Sequence, residues 1–182
     1  MKTFTAFLRG INVGGKNKIL MSNLSEIFRQ LKFEKVATYI QSGNIVFNCQ
    51  TDDIENLQIL IEQAILKNSG LTVPAIIRSV EQLKMIVGKV PFLRTENVNV
   101  EQLYVTFLKQ TPDEQNISKL NQMVYKDSFE IFGNDIFVHC KNGYGKTDLT
   151  NTLFENKLKV AATTRNWKTI NAIISLVQKQ SD

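Results

Sequence analysis

The chain is poor in the residue types that build metal sites and disulfide frameworks. Its 182 residues include two cysteines and one histidine, and Cys49 and Cys140 lie far apart in the sequence. Zinc sites need several such ligands at short spacing, and disulfide-stapled folds need many cysteines. We therefore expect no metal site, and we expect both thiols to be reduced and partly buried.

Long apolar runs and leader signals are also missing. No stretch approaches the roughly 18–20 apolar residues that a membrane-spanning helix needs. The first residues contain one lysine but no signal-type apolar core with a small-residue cleavage site. The composition, with 43% hydrophobic and 21% charged residues, is typical of a globular domain. We expect a cytoplasmic protein without a membrane partner.

No catalytic constellation is recognisable. With the single histidine His139, no Ser/His/Asp set can be read from the chain. No pair of carboxylates stands out as an acid and a base. The sequence leaves open whether the protein is an enzyme, and it names no catalytic residue and no cofactor.

Acidic residues are absent from both ends of the chain. Residues 1–25 and residues 156–181 contain several lysines and arginines and no aspartate or glutamate. The net charge of +5 therefore arises at the two ends. If the fold brings these ends together, a local positive potential would attract an anion or a nucleic acid. The alternative is a basic, solvated surface with no partner.

Hydrophobic periodicity predicts an α+β fold with two ferredoxin-like halves packed together. Residues 1–79 show strand and helix signals in the order β-α-β-β-α-β. Residues 80–100 form a connection, with a short helix and a loop that contains Pro91 and Asn97. Residues 101–182 repeat β-α-β-β-α, and a helix or a short extended piece replaces the last strand.

The run from Arg9 to Lys18 carries three glycines among three cations, between a predicted strand and a predicted helix. Glycines let backbone amides approach a ligand, and cations favour an anion, above all a phosphate. At least one glycine of the adjacent pair should have a positive φ. Ser22 is expected to cap the helix that follows. The candidate ligand-binding residues here are Arg9, Gly10, Asn12, Gly14, Gly15 and Lys16.

This run resembles the start of a P-loop, in which two glycines and a lysine follow the spacing G-x-x-x-x-G-K. Asn17 stands where magnesium binding requires serine or threonine. The helix begins several residues too late, and the predicted sheet is rich in antiparallel pairs. A true P-loop NTPase is therefore rejected.

Three further segments supply candidate ligand-binding residues. Gln41, Ser42 and Asn44 lie at a predicted turn, which could equally serve only the hairpin. Lys146 and Thr147 follow a second glycine loop before a helix, where an anion site and a simple turn with a helix cap are the alternatives.

The third segment contains Thr164, Arg165 and Asn166, and we expect it to open the last helix. Thr164 or Asn166 can cap that helix. An arginine in the first turn of a helix is unfavourable with the helix dipole. This position therefore predicts a partner for Arg165, either an acid or a bound anion.

Four segments along the chain occur together in one known pattern: Leu8–Asn17, Tyr39–Phe47, Gly143–Thr147 and Ala162–Trp167. In these segments the chain resembles the bacterial family DUF1697, a domain of unknown function. The resemblance implies an α+β fold with two ferredoxin-like halves, and it implies no established activity, substrate or cofactor. Family members often have arginine at position 146, which keeps the charge of the lysine and adds bidentate geometry.

Three functions remain open at this stage. The first is the binding of a small phosphate-containing or other anionic ligand where the glycine loops and residues 163–167 converge. For this function we predict that Arg9, Lys16 and Arg165 share one positive cleft. The second is a nucleic-acid-associated module that uses the basic ends, and the third is a non-catalytic interaction or scaffold domain. The oligomeric state is also left open.

Overall fold

A computed structural model of the protein describes residues 1–94 and 98–181. The chain divides into two compact units, one formed by Met1–Lys84 with the chain from Ala172 onward, and one formed by Met85–Asn171. Each unit contains a four-stranded sheet whose neighbouring strands are all antiparallel. The predicted α+β class is confirmed. Asn97 of the expected connecting loop lies outside the described residues.

The first half of the chain follows the predicted order β-α-β-β-α-β. Its elements are β1 (Lys2–Leu8), α1 (Met21–Gln30), β2 (Glu34–Tyr39), β3 (Asn44–Cys49), α2 (Ile54–Ser69), β4 (Ala75–Ser79) and the following α3 (Val80–Gly88). The strand order is β2-β3-β1-β4. This is the order that a β-α-β-β-α-β chain adopts in the ferredoxin-like arrangement.

The core of the first unit explains why α1 and α2 cover one face of this sheet. Phe28 of α1 contacts Phe47 of β3 edge-on, with ring centroids 5.3 Å apart, and Phe47 also meets Phe4 at 6.0 Å. Leu57 and Ile61 bring the apolar stripe of α2 into the same cluster. Each fully buried side chain of this size contributes about 1.5–3 kcal/mol. The loop before α1 is thereby attached to a rigid helix.

The second half of the chain repeats this order of elements and ends in a further helix. Its elements are β5 (Leu103–Leu108), α4 (Glu114–Asn121), β6 (Ser128–Phe132), β7 (Asp135–His139), α5 (Asn151–Leu158), β8 (Ala162–Asn166) and α6 (Trp167–Ser181). The strand order β6-β7-β5-β8 repeats that of the first sheet. The last strand is therefore present as β8, and the expectation that a helix or a short extended piece replaces it was wrong.

Placing Arg165 in the first turn of the last helix was wrong. Arg165 lies in β8, opposite Val105 of β5, and α6 begins only at Trp167. The side-chain oxygen of Asn166 accepts a hydrogen bond from the Thr169 amide at 2.8 Å and so caps α6. Pairing with β5 satisfies the backbone of this segment as a strand, and tertiary pairing overrides the local helix signal.

The helices are of moderate length and several are capped as the sequence allows. The longest, α2, begins after Asp53, whose carboxylate accepts from the Asn56 amide, and it ends at Gly70 in a left-handed conformation. Short 3-10 helices lie at Pro91–Arg94, Val100–Gln102 and Tyr144–Lys146. Among the helices of the described residues, none combines the length and the apolar character needed to cross a membrane.

Candidate functional site

The first loop folds as a miniature hairpin. Val13 and Lys16 form a β-bridge, in which the Lys16 amide donates to the Val13 carbonyl at 3.1 Å. Gly14 and Gly15 form the tip with φ of +58° and +76°. Two successive residues of this kind match a type I′ turn. The predicted positive φ is confirmed, and the turn engages the Lys16 amide internally instead of presenting it to a ligand.

Two asparagines tie this hairpin to the rest of the unit. The Asn12 side-chain nitrogen donates to the carbonyls of Ile19 and Gln41, both at 2.9 Å, and its oxygen accepts from the Ile19 amide at 2.9 Å. Asn17 donates to the Gly10 carbonyl at 3.0 Å. Both asparagines have a positive φ, which this residue type tolerates better than most. Asn12 therefore acts as a clamp.

The turn between β2 and β3 packs against Leu8 and Ile11, which lead into the hairpin. Gly43 is buried with φ +72°, and a Cβ there would lie 2.7 Å from the Ile11 side chain and 2.8 Å from the Leu8 side chain. The Gly43 carbonyl accepts from the Leu8 amide at 2.8 Å. Only glycine fits at this point, because both the backbone conformation and the space exclude a side chain.

The polar residues beside this glycine divide into two roles. The Asn44 side chain is buried and donates to the Tyr39 carbonyl at 3.1 Å and to the Ser42 hydroxyl at 2.9 Å. Asn44 and Ser42 therefore contact each other across the turn. Gln41, by contrast, is exposed and lines a cleft beside the first loop.

The helix after the loop starts without a capping side chain. Its N-cap residue is Leu20, which makes no side-chain cap hydrogen bond, and the first turn contains no acidic residue. Ser22, the expected N-cap, lies inside the first turn instead. The first amides of a helix lack helical partners and carry a partial positive charge. The start of α1 is therefore suited to an anion.

A cleft of about 380 Å³ lies between the hairpin and the start of α1. It is lined by Asn12, Gly15, Lys18, Ile19, Leu20, Met21 and Gln41. Lys18 is exposed and is the cation of the lining. No acidic residue lines the cleft among the residues that the structure describes. The lining therefore combines positive charge, amide groups and apolar side chains.

The predicted cations of the first loop take different positions. Lys16 is exposed at the hairpin tip, next to Gly15 of the cleft lining. Arg9 is half-buried directly after β1, and its amide donates to the Pro74 carbonyl at 2.9 Å. Lys18 lines the cleft itself, although the sequence reasoning did not include it among the candidates. The signal that could have identified Lys18 is its position in the same run of cations as Arg9 and Lys16.

Among the candidates of the second unit, Thr164 lies at the centre of a hydrogen-bond network. Thr164 donates to the Asn151 side-chain oxygen at 2.6 Å and accepts from the Tyr144 hydroxyl at 3.1 Å. Its oxygen also lies 2.7 Å from the Thr106 hydroxyl. Because the only Thr164 proton goes to Asn151, Thr106 must donate in this pair. The Thr164 hydroxyl therefore joins three elements and has its hydrogen-bonding capacity filled.

Arg165 and Asn166 are engaged by their own neighbours. Arg165 is buried, and its Nη1 donates to the Thr163 hydroxyl at 2.7 Å and to the Thr164 carbonyl at 2.9 Å. Asn166 caps α6 through its side chain. That Arg165 shares one positive cleft with Arg9 and Lys16 stays a prediction.

The second glycine loop forms a turn that ends at a buried threonine. Gly143 has φ +82°, Lys146 is exposed, and the Thr147 hydroxyl accepts from the Leu149 amide at 3.2 Å. Thr147 also hydrogen-bonds with Cys140, whose pKa rises to about 11 because the thiol is buried. At neutral pH this thiol is protonated and poorly nucleophilic.

The candidate groups of the two units differ in what they offer a ligand. The first has an open cleft with a cation, whereas the described side chains of the second are largely engaged with each other. Within the described residues, no group of three or more His, Cys, Asp or Glu side chains is arranged to hold a metal ion. The first loop with the start of α1 is the stronger candidate site.

Comparison with known proteins agrees with the fold. The family model described as "Protein of unknown function (DUF1697)" matches residues 1–137. A solved structure of the conserved bacterial protein SP0830 from Streptococcus pneumoniae is similar with a TM-score of 0.78 and 25% identity. The similarity covers 96% of this chain and 98% of that chain. No curated protein matches the chain.

Proposed function

The chain belongs to the DUF1697 family, whose description names no activity, and we propose from the site geometry that it binds a small phosphate-containing ligand. The observation that carries this proposal is the cleft of about 380 Å³ between the first hairpin and the start of α1. Clefts that hold small molecules are mostly apolar with a few placed polar groups. The lining of this cleft has that character.

The electrostatics of the cleft favour a negative group. Lys18 lines it, Lys16 stands at the adjacent tip, and the first turn of α1 carries no acidic residue. Serine, threonine, aspartate or asparagine at the N-cap would offer its own oxygen to the first amides. Leu20 offers none, so these amides are open to a phosphate oxygen.

The rigidity of the surroundings supports a binding role. Asn12 and the buried Gly43 turn hold the two walls of the cleft by hydrogen bonds and close packing. A site held before the ligand arrives loses less conformational entropy on binding. The proposal also places the protein in the cytoplasm, which the two free, buried cysteines support.

Ligand-induced stabilisation tests this proposal directly. The melting temperature of the wild type should rise with inorganic phosphate, sugar phosphates or nucleotides, since a ligand at 100 times its Kd stabilises by about 2.7 kcal/mol. Lys18→Ala should lose most of this gain. Lys16→Ala should lose a smaller part, because Lys16 stands beside the cleft and does not line it.

A matched control separates the site from general charge effects. Lys89 is also exposed and lies outside the cleft, so Lys89→Ala should keep the full gain. Without ligand, all three alanine variants should melt close to the wild type, because exposed lysines contribute little to stability. A panel of phosphate compounds that shifts neither the wild type nor Lys89→Ala would refute the proposal in favour of the scaffold function.

A further inference from the structure

Apolar side chains are exposed around the cleft to an unusual extent. Leu20 of the lining is 68% exposed, and two residues next to lining positions, Val13 and Ile40, are 62% and 51% exposed. Met21, which is half-buried, adds further apolar surface to the lining. Apolar groups clustered beside polar ones mark a surface that binds a partner or a ligand.

Ile40 is also held in an unfavourable backbone conformation. Its φ is +48°, where a β-branched residue is a genuine outlier. Glycine or asparagine would adopt this conformation at lower cost. The next residue, Gln41, lines the cleft and is held by the Asn12 side chain. A half-exposed, strained isoleucine at this place has no evident role in the core, and it adds apolar surface beside the cleft.

Resting on the proposed function, we infer that the ligand is a phosphate ester with an aromatic ring, such as a nucleoside monophosphate, whose ring faces are apolar. Lys18 and the start of α1 would take the phosphate, and the ring would lie against Leu20 and its apolar neighbours. A volume of about 380 Å³ falls in the range of sites for small organic molecules. An inorganic phosphate would leave the apolar part of the lining in contact with water.

Isothermal titration calorimetry with three probes tests this inference. The probes are AMP, phenyl phosphate and ribose 5-phosphate. All three are phosphate monoesters, and only AMP and phenyl phosphate carry an aromatic ring. We expect AMP, phenyl phosphate or both to bind the wild type with a Kd at least 10-fold lower than that of ribose 5-phosphate. Leu20→Ala should remove most of this difference and leave the Kd of ribose 5-phosphate unchanged.

Leu66→Ala is the matched control, because Leu66 is 49% exposed on α2 and does not line the cleft. It should bind all three probes as the wild type does. Equal affinity of the wild type for all three probes would overturn the inference and leave phosphate binding standing. Binding of none of the three would overturn both the inference and the proposed function.

Discussion

The side-chain amide of Asn12 donates to the backbone carbonyl of Gln41 at 2.9 Å, across 29 positions of the chain. The same side chain exchanges two further hydrogen bonds with the backbone of Ile19. One asparagine therefore joins the first hairpin, the turn before β3 and the segment that leads into α1. Asn12 therefore links residues that line the cleft on both sides.

Replacing Asn12 by alanine should destabilise the first unit and weaken ligand binding. The variant loses three hydrogen bonds of about 0.5–1.5 kcal/mol each and places alanine at a positive φ. We expect the free energy of unfolding to fall by about 2–4 kcal/mol in urea denaturation. Asn17→Ala, which loses one such bond, should cost clearly less. An equal fall in the free energy of unfolding for the two variants would contradict the role of Asn12 in joining these segments.

Replacing Leu20 by serine should stabilise the protein and weaken phosphate binding together. Serine at the N-cap supplies the side-chain oxygen that α1 lacks, which is worth about 1 kcal/mol. The same oxygen competes with a phosphate for the first amides. Thermal melting with and without inorganic phosphate measures both effects. Leu20→Ala adds no cap, so its ligand-free melting temperature should stay close to that of the wild type.

Replacing Ile40 by asparagine should raise stability, because asparagine tolerates the left-handed conformation better. A residue held in this region costs about 1–3 kcal/mol, and relief of part of that strain should raise the free energy of unfolding by about 1 kcal/mol. Lys32→Asn is the control, since Lys32 also has a positive φ but lies away from the cleft. Ile40→Asn should reduce the affinity for aromatic phosphate esters, and Lys32→Asn should leave it unchanged.

Replacing Thr164 by valine should destabilise the second unit without changing its shape. Valine fills the same space but leaves the hydroxyls of Tyr144 and Thr106 and the Asn151 oxygen without their shared partner. A fully buried polar group that loses its partner costs about 1–3 kcal/mol, and because this network is partly buried we expect a loss of about 1 kcal/mol. Thr164→Ser keeps the hydroxyl and should cost less. Urea denaturation that gives serine the larger loss would exclude the network as a source of stability.

The thiol of Cys140 should make stability depend on pH above about 9. Burial raises its pKa from 9.0 to about 11, so the folded protein binds more protons than the unfolded chain between these values. The free energy of unfolding should therefore fall as pH rises through this window, by at most about 1.4 kcal/mol per pH unit from this group. Comparison of the wild type with Cys140→Ala at several pH values isolates the contribution. Parallel pH profiles would contradict it.

The sequence allowed the fold to be predicted more fully than the site. Apolar periodicity and turn residues were sufficient for the order of elements in the first half and from β5 to α5 in the second, because these signals are local. The assignment of Arg165 to a helix failed, since its backbone is satisfied by pairing with β5, which lies far away in the sequence. The prediction of Ser22 as N-cap was wrong by two positions. The N-cap is Leu20, whose side chain makes no cap hydrogen bond.

The amino-acid sequence by itself determined the two-unit α+β class, the positions of the glycines and the acid-free basic loop. These follow from residue type, spacing and charge, which need no knowledge of distant contacts. Only the tertiary structure decided which residues meet. It placed Lys18 in the cleft, turned Gly14 and Gly15 into a hairpin tip and engaged Thr164 in a partly buried network. The physical reason is that hydrogen bonds such as that from Asn12 to Gln41 join segments whose local patterns carry no information about each other.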